Sequence, residues 1–131
     1  MAARRTPEQK VADNLAMARE KMDSWPTPYP EVARQLHEAV MAVDDGLQAR
    51  LWYGGVGYAR SHSDPVLLFY RVDEDLMSVG VTERSNITAE GPSQLTEAAW
   101  YLHAEQAPVT DATIEHVQAI VRRAGDDVRI P

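Results

Sequence analysis

Cysteine is absent from all 131 positions, which removes disulfides, thiolate metal ligands and a cysteine nucleophile together, as a reducing compartment permits. Long apolar runs are absent as well. The longest, Val66 to Tyr70, falls far short of the roughly 20 residues a helix needs to span a bilayer, so no membrane association is expected. Positive charge is scarce: 13 Lys and Arg face 20 Asp and Glu, a formal net charge of −7. That balance repels phosphate backbones and anionic lipid, and nucleic acid is not an expected partner. Arg4 and Arg5 are followed by Thr6 to Lys10 and not by an apolar stretch. No signal peptide is read there, the cytoplasm is the expected location, and the sequon Asn86-Ile87-Thr88 is read as chance.

What is present is ordinary globular material, 44% hydrophobic and 25% charged, in a length that suits one core. The expectation is one domain over 1–131, with a tail at 1–6, a helix and proline-rich linker at 7–29, and a core at 30–124. Thr6-Pro7-Glu8-Gln9 combines a hydroxyl N-cap, proline at the first helical position and a glutamine able to close a capping box. Val11, Leu15, Ala18 and Met22 then form one stripe, which predicts a helix over 7–23. A second helix begins at Pro30 with the stripe Val32, Leu36, Val40 and Val43, and ends before Asp44-Asp45-Gly46.

From Gln48 the period shortens. Leu51 to Tyr53, Tyr58 to Ser61, Val66 to Val72 and Leu76 to Thr82 are β-prone runs separated by turn residues, which predicts an antiparallel meander. A polar stretch around Gly91-Pro92, with room for a short helix, precedes a last strand from Ala98 to Glu105. The closing helix starts at Thr110, with Val109 placed to staple against Ile114. Its stripe is Ile114, Val117, Ile120 and Val121, and Arg122, Arg123 and Gly125 mark its end. The fold class is therefore α+β: an antiparallel sheet of four to six strands, two N-terminal helices and a C-terminal helix.

No catalytic set is assembled in the sequence. Gly54-Gly55-Val56-Gly57 opens no helix and precedes no lysine, so it reads as a turn or bulge instead of a phosphate loop. His37, His62, His103 and His116 have no ligand spacing, and the acidic clusters, including Asp73-Glu74-Asp75 and Asp126-Asp127, match no calcium loop; neither metal nor cofactor is expected. Ser61-His62-Ser63-Asp64 reads as a loop, since triad residues rarely adjoin in sequence. Aromatic residues on the strands are the candidates for a ligand surface: Trp52, Tyr53, Tyr58, Trp100 and Tyr101. On an extended strand Tyr101, His103 and Glu105 share one face, which adds an imidazole and a carboxylate to the candidates.

Leu51-Trp-Tyr-Gly-Gly-Val-Gly-Tyr58, the apolar meander Val66 to Val81, and Trp100-Tyr-Leu-His103 followed by Pro108 and a helix to Ala124 are similar to the YdhG-like family. These are small bacterial domains of unknown function with a frataxin-like fold, and the resemblance covers Pro30 to Ala124. It implies an iron-chaperone-like role as one alternative, as some members are so regarded. The residues themselves point to a small cytosolic binding or accessory protein, open to a small-molecule ligand. A small-molecule enzyme using His103 and Glu105 as acid and base is the other alternative.

One strand also bears on assembly. In Val66 to Val72, Val66, Leu68, Tyr70 and Val72 alternate with Leu67 and Phe69, so both faces of the run are apolar. A second cover is expected from helix one or from another subunit, with a homodimer favoured.

Overall fold

The computed structural model describes residues 4–85 and 91–124. The sequon at Asn86, the helix stop at Gly125 and the Asp126-Asp127 pair lie outside these residues. Element order is α1 (Pro7–Asp23), α2 (Tyr29–Val43), β1 (Gln48–Trp52), β2 (Gly55–Ala59), β3 (Val66–Asp73), β4 (Leu76–Val81), β5 (Ala99–Leu102) and α3 (Asp111–Ala124). The fold is thus α+β with two N-terminal helices, a five-stranded antiparallel sheet in the order β1-β2-β3-β4-β5, and a C-terminal helix. No helix among the described residues is long and apolar enough to cross a membrane.

Local chemistry sets the helix ends. Thr6 Oγ1 accepts from the Gln9 amide at 3.1 Å while Gln9 Oε1 accepts from the Thr6 amide at 2.7 Å, a complete capping box. Just before it, Arg5 pairs with Asp13 at 2.6 Å. Thr110 Oγ1 accepts from the Thr113 amide at 3.2 Å and caps α3. The stretch 91–98 contains no helix.

The β1–β2 turn differs from a reading that spends all the glycines on one loop. Trp52 pairs with Gly55, so only Tyr53 and Gly54 form the β1–β2 turn, both with positive φ (45° and 79°). This is the backbone that matches the twist of a tight hairpin, and Gly54 takes it without a Cβ penalty. Gly55 and Gly57 belong to β2. The β3–β4 turn is equally short, since Asp73 pairs with Leu76.

A bulge interrupts β3. Tyr58 pairs with Leu68, but the next residue, Ala59, pairs with Val66. The extra residue reverses the alternation at that end. Leu67 therefore packs against the main core, and the Val66 side chain lies on the opposite face, where its methyls border Gly57. The expected grouping of Val66 with Leu68 and Tyr70, and of Leu67 with Phe69, is corrected on this point.

All three helices lie on one face of the sheet. Tyr70, Val79 and Trp100 are register partners on that face. The Tyr70 hydroxyl reaches Met22 Sδ on α1 at 3.9 Å and the Ala33 carbonyl on α2 at 3.4 Å, and the Trp100 ring meets His116 on α3. Helix α1 therefore does not cross the other face, because its stripe ends in Ala18 and Met22, both buried in the same core as α2.

The opposite face carries no element among the described residues. Its floor is Gly55, Gly57 and Gly80, and the Trp52 and Phe69 rings lie over it with centroids 4.7 Å apart. Both rings remain half-buried, with Tyr53 and Tyr101 exposed at the rim.

Candidate functional site

Strand β5 ends at Leu102 because its partner runs out: Met77 pairs with Leu102, and only Leu76 precedes it before the turn. The backbone beyond is taken up by Tyr29. Its hydroxyl lies 2.5 Å from the Asp75 carbonyl and 3.3 Å from that of Leu102, and it accepts from the Ala104 amide at 3.3 Å. Gln35 then clamps Val109, its Oε1 accepting from the Val109 amide at 2.8 Å and its Nε2 donating to the Val109 carbonyl at 3.2 Å. These contacts turn the chain off the sheet after Leu102. The expected extension of the strand to Glu105, with Tyr101, His103 and Glu105 on one face, is corrected accordingly.

That turn divides the candidate residues. Trp100, Tyr101 and His103 line a groove of about 300 Å³ between β5 and α3, joined there by Thr113 and His116. Its floor is Val79, Val117 and Ile120, each buried. The Trp100 and His116 rings meet edge to face with centroids 5.9 Å apart. Glu105 lines a different depression, with Thr27, Glu31 and Arg34. His103 and Glu105 thus line different depressions.

Trp52 and Tyr53 sit away from this groove, at the β1–β2 hairpin, their rings 4.7 Å apart and nearly perpendicular. Tyr58 is fully buried and offers no surface to a ligand. Its hydroxyl lies 2.7 Å from that of Tyr70 and 2.8 Å from His37 Nδ1. Both phenols are therefore satisfied inside the core, where an unmade hydrogen bond would cost about 1–3 kcal/mol. Burial pushes the Tyr58 phenol well above its ordinary value, and the Tyr70 hydroxyl adds to this. Burial also raises Tyr70, against the opposing hydrogen bond from Tyr58. His37 is lowered by burial and then by the positive charge of Arg19, with Glu38 opposing.

The sequence offered no route to His116 or Thr113 as neighbours of Trp100. They lie on α3 across a loop, and only their spacing on the helix places them on the face that carries Val117 and Ile120. Tyr70 and His37 were legible as core and surface positions, but their meeting at Tyr58 depends on the sheet register and on the docking of α2. No group of three or more His, Asp or Glu side chains able to hold a metal ion occurs among the described residues.

The architecture defines an open-faced α+β sandwich with one groove at the β5–α3 seam. No family model, no curated protein and no solved structure matches the chain.

Proposed function

We propose that this chain is a binding or accessory protein whose working site is the groove between β5 and α3. One observation carries the reading: an aromatic wall (Trp100), two imidazoles (His103 and His116) and a hydroxyl (Thr113) converge over a buried apolar floor. A few polar groups around an apolar cleft is the usual build of a small-molecule site, and about 300 Å³ is at the lower end of the common size range. Amide chemical-shift mapping of the full chain against a library of small aromatic fragments tests it. Shifts are expected at Val79, at 100–103 and along 113–120, and Trp100→Ala should abolish them while leaving the fold intact. Fragments that map instead to Trp52 and Tyr53, or that shift nothing, would refute the assignment. Iron handling, implied by the family resemblance, receives no comparable support from side chains among the described residues.

A second reading concerns assembly, and the bare face of the sheet favours it. The strand residues on that face carry only Arg50, Arg71 and Asp73 as charges, a net +1 in a chain of net −7. A second copy, itself acidic, meets least repulsion there, and Trp52, Phe69 and Tyr101 supply apolar area to bury. The reading is a homodimer through this face. In sedimentation equilibrium the wild type is expected to dimerise reversibly and Phe69→Asp to be monomeric. A wild type that stays monomeric at high concentration ends the idea.

A further inference from the structure

The chemistry of the groove goes further than its existence. Among the described residues that line it there is no Lys, Arg, Asp or Glu, although the chain has 20 acidic and 13 basic side chains in all. A cationic ligand would find no carboxylate to pair with. A phosphate, which proteins bind with guanidinium, ammonium or clustered backbone amides, would find no basic side chain stronger than an imidazole. What the groove offers is a set of directional polar groups. His103 and His116 each present an imidazole nitrogen able to donate, and among the described residues the Thr113 hydroxyl is shared only with Thr110 Oγ1, at 2.8 Å. Both histidines are exposed at the rim while the floor is buried. A ligand therefore places its apolar part down against Val79, Val117 and Ile120, flanked by Trp100, and its polar end up at the imidazoles.

Resting on the reading of this groove as the working site, we infer that its ligand class is a planar aromatic or heteroaromatic monocarboxylate. A single negative charge suits two imidazoles and a hydroxyl. A ring is what an indole wall accepts with favourable edge or offset contact. Asp111 and Glu115, on the same helix, are not among the lining residues, so they do not oppose the anion from within the groove.

The probes are 2-naphthoate and its uncharged counterpart 2-naphthamide, titrated into the full chain by calorimetry and by amide shift mapping. The naphthoate is expected to bind at the groove about tenfold more tightly than the amide, the range a charge-assisted hydrogen bond adds. In His103→Gln/His116→Gln that preference should disappear while both probes still shift the groove amides, a readout that a merely unfolded variant cannot produce. Equal affinity of the two probes in the wild type, both at the groove, would overturn the carboxylate assignment and leave the groove itself standing. Absence of groove shifts with either probe would overturn both.

Discussion

Above pH 10 the protein is expected to lose roughly 3 kcal/mol of stability for each further pH unit, because two phenols keep their protons in the native state and surrender them on unfolding. Tyr58 and Tyr70 are both raised from the ordinary value of 10.0. In the unfolded chain they ionise near that value. Beyond it the unfolded state binds fewer protons than the native one, so stability falls as pH rises, by about 1.4 kcal/mol per unit for each phenol. The contribution is fully present below the unfolded value and is lost on the way up to the folded one. The comparison is between wild type and Tyr58→Phe/Tyr70→Phe, by urea denaturation at about pH 8 and about pH 11, either side of the ordinary phenol value. The variant should start less stable by about 1–3 kcal/mol, since His37 Nδ1 and the Ala33 carbonyl lose partners, yet decline far less between the two conditions. Tyr29, Tyr53 and Tyr101 are common to both proteins and cancel. Equal alkaline losses in the two would show that these phenols are not held neutral by the core.

The second large effect separates two adjacent glycines. A Cβ added to Gly55 would stand 2.5 Å from the Tyr70 carbonyl oxygen and 2.5 Å from Arg71 Cβ. Neither atom is the end of a flexible side chain, so β2 and β3 would have to part. Gly55→Ala is expected to cost about 3 kcal/mol, the upper part of the range for overpacking. At Gly54 nothing lies within 4 Å of the added carbon, and only its φ of 79° opposes a side chain, so Gly54→Ala should cost about 1 kcal/mol. Thermal or urea unfolding of the two variants decides; equal costs, or the reverse order, would mean that the β2–β3 contact is looser than described.

These cases also mark where the sequence was legible. Helix α1 could be read to its ends because Thr6, Pro7 and Gln9 state a capping box in consecutive residues, and α3 because Thr110 and the two arginines bracket it. The meander was legible as a period. Its register was not: Val66 to Tyr70 is apolar at every position, so no polar residue reports which face each one takes, and the bulge at Leu67 leaves no local mark. The first hairpin shifted for a similar reason. Gln48, Ala49 and Arg50 lack strand character, yet they pair with Ala59, Tyr58 and Gly57 because the Tyr53-Gly54 turn fixes the register. At the groove, Trp100, Tyr101 and His103 were readable as candidates. Glu105 was not separable from them, since the contact that turns the chain away comes from Tyr29, 73 residues before Leu102.

That tyrosine has a bearing on how a ligand would be met. A four-residue edge strand (Ala99–Leu102) is the kind of element that frays, and a wall that frays must be ordered anew each time a guest arrives. Here Tyr29 secures the backbone at Leu102 and Ala104 and Gln35 secures Val109, both from α2, so the segment between β5 and α3 is tied at either end to the most deeply buried helix. The groove is consequently preorganised: its conformational entropy has been surrendered during folding, and association does not have to supply it.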